Sequence, residues 1–435
     1  MNYYSLNNNS PVVDFKTATV NGQAPDKGLY FPEAIPQLGK DFLDNIKNMS
    51  NAEIAFRLIQ PYVGDCIPEA ELKRICEETV NFDIPLVKVT ENISSLELFH
   101  GPTLAFKDVG ARFMSRCLGY FATHSISLRA KKEKFVVLVA TSGDTGSAVA
   151  NGFYGVEGID VVILYPSGKV SSVQEKQLTT LGKNIHTLEV DGNFDDCQRM
   201  VKAAFADDEL KEKLFLTSAN SINVARWLPQ QFYYFFAHKQ FGGSPVISVP
   251  CGNFGNICAG MIAWRSGLPV EHFIAACNAN DTVPRYFQTN EYDPQNAVPT
   301  ISNAMDVADP SNFVRMMELF DHDEKKLKKM VTTSSLNDEE TRSTLKRVND
   351  QFKYLCDPHG AVAFDALEKY LKDHPGQNGY FLETAHPVKF FDVVEPVINS
   401  KIPIPDSISG QMQKEKLSTK IGNSTSELIN FLTNY

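Results

Sequence analysis

The run Phe135-Val136-Val137-Leu138-Val139-Ala140-Thr141 is apolar without alternation, which predicts a strand buried on both faces. It leads straight into Ser142-Gly143-Asp144-Thr145-Gly146-Ser147-Ala148. The pattern repeats at Pro245-Val246-Ile247-Ser248-Val249, followed by Pro250-Cys251-Gly252-Asn253-Phe254-Gly255-Asn256 and an apolar helix through Trp264. Further strands are predicted near 160–166, 184–191, 272–278 and 379–384, separated by helical spacing, so the chain reads as an α/β protein. Ahead of Leu86, an extended start gives way to helical spacing over Lys40–Asn48, Ala52–Tyr62 and Glu69–Asn81, punctuated by Pro61, Pro68 and Pro85. Residues 1–85 therefore read as a helix-rich N-terminal unit and 86–435 as the main region. Amphipathic segments at 193–213 and Trp227–Phe241 are predicted to pack on a sheet. Asn290–Pro310 reads as a long loop, and the helices between Ser311 and Tyr370 carry charges assigned to a solvated face.

Composition narrows the function classes. A chain of 435 residues with 43% hydrophobic content is ample for two lobes and a cleft. A formal charge of -10 argues against a nucleic-acid binder, and the basic cluster Arg129–Lys134 reads as a solvated loop. The 8 cysteines are scattered, with no C-x-x-C pair, and are expected to be reduced and mostly buried. His124, His186, His238, His272, His322, His359 and His374 show no metal-ligand spacing and read as structural or exposed. No basic segment followed by an apolar core opens the chain and no run of about 18 apolar residues occurs, so a cytoplasmic protein is expected, without a membrane partner.

The candidate chemistry centres on Leu98-Phe99-His100-Gly101-Pro102-Thr103-Leu104-Ala105-Phe106-Lys107-Asp108. Lys107 either solvates a surface at a helix start or is desolvated behind Leu104-Ala105-Phe106, where its amine would be free to attack a carbonyl. The two glycine-rich turns are each a potential anion cradle, since glycine permits a tight turn and the following helix offers unpaired N–H groups. Gly379-Tyr380-Phe381-Leu382-Glu383-Thr384-Ala385-His386-Pro387 ends a strand in a hydroxyl and a histidine, at the edge where open parallel sheets bind ligands. A non-catalytic phosphometabolite binder could use two cradles but would need no desolvated amine. No G-x-x-x-x-G-K-[ST] or G-x-S-x-G occurs.

In this order HGPTLAFKD, TSGDTGSA, GNFGN and ETAHP, with Gly28-Leu29-Tyr30-Phe31-Pro32-Glu33 near the start, make the chain resemble the threonine synthases, in their longer form. These are fold type II pyridoxal 5'-phosphate enzymes, similar to the tryptophan synthase β subunit, with two open twisted sheets and flanking helices. The resemblance implies a smaller lobe around 115–215 that moves against a larger one. It assigns Lys107 to Schiff-base formation and proton transfer, and Gly252, Asn253, Phe254, Gly255 and Asn256 to the cofactor phosphate. Thr384 would face the pyridine nitrogen and Asp144 the cofactor's 3'-oxygen. Thr141, Ser142, Thr145, Asn220, Ser221 and Arg226 would hold the substrate and its phosphate. A threonine facing the pyridine nitrogen leaves it largely neutral, favouring elimination and replacement over transamination. The implied reaction converts O-phospho-L-homoserine and water to L-threonine and phosphate. A related phospholyase or a threonine or serine dehydratase is the nearest alternative. His100 and His386 are either bases or loop-orienting groups, no metal is implied, and a monomer or weak homo-oligomer is expected.

Overall fold

The computed structural model describes residues 1–124, 134–141 and 143–434. Ser142 and most of the basic cluster Arg129–Lys134 lie outside them. The described strands form three sheets. In the largest the order is Val331–Ser335, His272–Cys277, Val246–Pro250, Gly379–Glu383, Ile93–Glu97, Leu86–Lys88, with every neighbouring pair parallel except the last. The second, all parallel, runs Thr419–Ile421, Ile185–Val190, Ile159–Pro166, Lys134–Ala140, Leu214–Thr217. Among the described residues no helix is long and apolar enough to cross a membrane.

Strand Lys134–Ala140 shows why an unalternating apolar run suits this architecture. Val137 and Val139 enter the main core while Val136, Leu138 and Ala140 enter a second core on the opposite face, against Met200, Leu428 and Leu432. Each face is covered by helices, so neither tolerates a polar residue. The C-terminal segment supplies both an edge strand and a helix, Thr425–Thr433, to this sheet, so its lobe is built from two separate stretches of chain.

The N-terminal unit adds helices Asn51–Val63, capped by Ser50 accepting from Glu53 N at 3.1 Å, and Glu69–Thr79. It also contains a small antiparallel sheet, Val13–Asp14, Asn2–Ser5, Tyr30–Pro32, whose strands are too short to leave a period in the sequence. Three further details differ from expectation. The 193–213 segment is two helices, Phe194–Ala206 and Asp208–Lys213, because Asp207 leaves the helix and caps the second through Leu210 N at 2.9 Å. Within the stretch expected to be helical, Val331–Ser335 forms an edge strand. The charged residues of 311–370 are not all solvated: Arg315, Asp357 and Asp365 are buried.

Candidate active site

Strands Val246–Pro250, Gly379–Glu383 and Ile93–Glu97 are parallel neighbours, so the segments that follow them emerge at one edge of the sheet. Those segments carry the 252–256 turn, Thr384 and the Lys107 loop. Direct bonds lock the last two together: Phe106 N donates to the Thr384 carbonyl at 2.9 Å, His386 N donates to the Leu104 carbonyl at 3.0 Å, and Ala105 bridges Ala385. Both loops contain a bulky residue in the left-handed region, Leu104 at φ 58° and Phe254 at φ 60°. Such residues are strained, and the two lie in the Lys107 loop and the 252–256 turn.

Lys107 opens helix Lys107–His124. Its Nζ lies 5.6 Å from the Phe106 ring centroid and makes no hydrogen bond or ion pair among the described residues. It keeps some solvent contact, as a group lining a cleft does, yet protein surrounds it closely enough to push its ammonium down to about 8. Burial is the main cause; Asp144 and Asp357 oppose it, and Lys389 and Arg226 reinforce it.

The two cradles differ. Helix Gly255–Arg265 has no side-chain cap, so its first-turn N–H groups are open to an anion. The buried Asn256 spends its Oδ1 on Tyr233 and Tyr234 at 2.6 and 2.9 Å, and its Nδ2 has no partner. At the other turn, Thr141 Oγ1 accepts from Gly143 N at 3.0 Å and Gly146 N at 2.8 Å, closing part of the loop on itself. The hydroxyl of Thr141 thus shapes the turn. Gly143, at φ 139°, is required there: a Cβ would lie 2.6 Å from Gln174. Thr145 is half-buried in the first turn of helix Asp144–Phe153.

The 220–226 segment reaches the 252–256 turn. Ser221 Oγ accepts from Asn253 Nδ2 at 2.8 Å, while Asn253 Oδ1 accepts from Ser311 N at 2.6 Å. Asn220 is half-buried in the turn before Asn223, its carbonyl accepting from Asn223 N at 3.1 Å. Arg226, 2% exposed, donates to the Ala219 carbonyl at 2.5 Å and leaves Nε unpaired. Burial pushes its guanidinium down to about 10. A buried cation with so little compensation suits a ligand anion.

Residues 93–379 match the family model of pyridoxal-phosphate-dependent enzymes, residues 2–80 the threonine synthase N terminus and residues 360–431 the threonine synthase C-terminal region. Over 436 residues the chain is 44% identical to the threonine synthase of Haemophilus influenzae, covering 99% of both. The chain belongs to the threonine synthase family. The relative from Saccharomyces cerevisiae is 36% identical, with 91% of this chain and 89% of that one covered. The crystal structure of threonine synthase from Escherichia coli matches with TM-score 0.90 at 40% identity, over 100% of both chains. The PLP-bound threonine synthase from Brucella melitensis matches with TM-score 0.91 at 33% identity, over 100% of this chain and 99% of that one. Pyridoxal phosphate is the cofactor of the family, and the uncapped helix, the unpaired Asn256 amide and the free amine of Lys107 fit it.

Around the threonine synthase motifs lie several groups that sequence reasoning missed, together with His386, already a candidate. Glu383 is fully buried one residue before Thr384; its Oε1 accepts from Asp357 N at 2.5 Å, and burial beside Asp357 pushes its carboxyl well above the ordinary range. His359 accepts from Ala304 N at Nε2 and therefore donates from Nδ1 to Asp357, at 2.6 Å. His386 accepts from Val388 N at Nδ1 and caps the turn Pro387–Phe390; burial pushes its pKa down to about 4, so it is neutral there. Arg315 stacks 4.1 Å over Trp227 and donates to the carbonyls of Tyr30, Ile222 and Ser221, tying the N-terminal unit to the 220–226 segment. Finally, Lys389 is buried against Asp144.

Proposed function

We propose that the protein converts O-phospho-L-homoserine and water to L-threonine and phosphate, with Lys107 as the group that anchors the cofactor and moves protons. The observation that carries this reading is the unpaired amine of Lys107, depressed to about 8, at an edge shared with an uncapped helix and beside a second glycine turn. Near neutral pH an amine with that pKa is deprotonated in a useful fraction of molecules and accepts a proton again readily. Bound pyridoxal phosphate supplies the electron sink that lets protons leave carbon.

The chain's own groups divide the remaining work. The N–H groups of 252–256 would hold the cofactor phosphate, and Thr384, a neutral hydroxyl at a strand end, would meet its ring nitrogen. Asp144 would face the ring's oxygen. Arg226, with Asn220 and Ser221, would take the substrate phosphate, and the Asp144-Thr145 turn with Thr141 and Ser142 would orient the amino-acid end. Placing the guanidinium on the departing phosphate offsets the charge that develops as the ester bond breaks. A smaller lobe around 115–215, closing against the rest, would exclude water until the phosphate has left. The protein would act in the cytoplasm, as a monomer or weak homo-oligomer.

Incubation with O-phospho-L-homoserine tests the reading. Threonine and phosphate are expected in equal amounts, with both needing pyridoxal phosphate. Release of a 2-oxo acid with phosphate and no threonine would identify a phospholyase instead.

A further inference from the structure

Lys389 lies in the turn Pro387–Phe390, and its side chain has no solvent exposure. Its Nζ is 2.8 Å from Asp144 Oδ1 and donates to the Thr103 carbonyl at 2.7 Å. Both partners are themselves fixed. Gln174 Nε2 donates to the same Asp144 oxygen at 3.0 Å, and Gln177 Nε2 to the same Thr103 carbonyl at 3.2 Å. Asp108 holds Thr103 from the other side, accepting from its N–H at 2.9 Å and its hydroxyl at 2.6 Å. The ammonium thus joins a carboxylate that follows a strand of the smaller sheet to the backbone of the Lys107 loop, beyond the larger sheet.

Two buried charges are costly to keep, and an apolar pair of the same volume would pack at least as well. Packing alone therefore does not account for this choice of residues. The surroundings suggest what does. The charged groups acting on Asp144 are Lys389 and Lys107, and those acting on Lys107 are Asp144, Lys389, Arg226 and Asp357. Burial by itself would raise the pKa of Asp144; Lys389, followed by Lys107, overrides it and holds the carboxyl well below the ordinary range. Without Lys389, Asp144 would turn to the one remaining ammonium near it, and Lys107 would become half of an ion pair instead of a free amine.

We propose that Lys389 is the dedicated counter-ion of Asp144, a positioning residue that keeps this carboxylate charged and fixed while leaving the amine of Lys107 unpaired. The proposal rests on the reading above in which Asp144 faces the cofactor, and it adds the residue that governs the charge at that position. Lys389 acts through Asp144.

The test is a pH titration of the holoenzyme's visible absorbance. Lys389→Gln keeps hydrogen-bonding capacity but removes the charge, so the protonation step of Asp144, too acidic to be seen in the folded wild type, should rise about 1–3 pH units and enter the range where the holoenzyme is folded. Lys389→Arg should show no such step, like the wild type, and Asp144→Asn should shift the spectrum at every pH. A Lys389→Gln titration that superimposes on the wild type, when Asp144→Asn does shift, overturns the counter-ion role. If Asp144→Asn also leaves the spectrum unchanged, Asp144 does not face the cofactor, and the proposal is overturned at its foundation. Should Lys389→Gln fail to fold, the Asp144→Asn, Lys389→Gln double variant decides. Folding and cofactor binding by the double variant support the pairing, because no lone charge is left; its failure to fold overturns the proposal in favour of a packing role.

Discussion

Arg226→Met should trade activity for stability, and the structure sets the size of both effects. The guanidinium is 2% exposed, has no carboxylate within ion-pair distance among the described residues, and is pushed from its ordinary value down to about 10 by burial. At about 1.4 kcal/mol per pH unit, that depression corresponds to roughly 3 kcal/mol of unfavourable burial. Both folded and unfolded chains carry the proton below pH 10, so the whole penalty applies at neutral pH and fades only above it. Methionine fills much of the space without a charge, and the variant should melt at a higher temperature than the wild type. Inorganic phosphate should stabilise the wild type in the same melting assay and lose that effect in the variant. Losing a charge-assisted hydrogen bond costs about 1.5–3 kcal/mol, so kcat/KM for phosphohomoserine should fall roughly 10- to 150-fold while pyridoxal phosphate affinity holds. A variant that is less stable, still responds to phosphate and keeps its kinetics would refute the reasoning and make Arg226 a structural residue.

Lys107→Ala should abolish turnover and leave the fold intact; borohydride reduction of the wild-type holoenzyme followed by peptide mapping should place the cofactor on Lys107, and label on Lys389 would contradict the assignment. Glu383→Gln should be well tolerated, since the buried carboxyl is neutral when folded. Because its folded pKa lies above the ordinary 4.5, the wild type must take up a proton to fold once pH exceeds that value. The Gln variant should therefore gain stability relative to wild type as pH rises above 4.5, and a gap that stays constant in denaturant titrations would mean that Glu383 folds ionised. Thr384→Asp, in a variant shown to bind pyridoxal phosphate, should slow threonine formation and alter the absorption of the bound cofactor; unchanged rates and spectra would place this residue away from the ring nitrogen.

What could be read from the sequence follows from physical causes. Strands such as Lys134–Ala140 announce themselves because covering helices require apolar residues on both faces. Val331–Ser335, written VTTSS, is an edge strand and half polar, so nothing in its pattern separates it from the charged helices around it. The short N-terminal strands and Thr419–Ile421 have too few residues to show a period. At the site, local motifs pointed to Lys107, Thr384 and the 252–256 turn because each depends on its own neighbours in sequence. Lys389 and Arg315 were invisible for the opposite reason. Their partners, Asp144 for one and Tyr30 and Ile222 for the other, lie far away along the chain, and an isolated lysine or arginine looks like any surface charge. Glu383 was legible as part of a motif but not as an uncharged acid, which only its burial beside Asp357 reveals.

The return of Thr419–Thr433 to the smaller sheet has a consequence for how the protein is made. During synthesis, strand Ile185–Val190 leaves the ribosome long before its neighbour Thr419–Ile421, so the nascent chain carries an open parallel edge with Leu188 and Val190 behind it. Helix Thr425–Thr433, which covers Met200 and Val201, arrives later still. The lobe that carries Asp144 therefore cannot be completed domain by domain as translation proceeds. Its closure must wait until Thr433 has emerged, and chaperones or aggregation compete for that exposed edge in the interval.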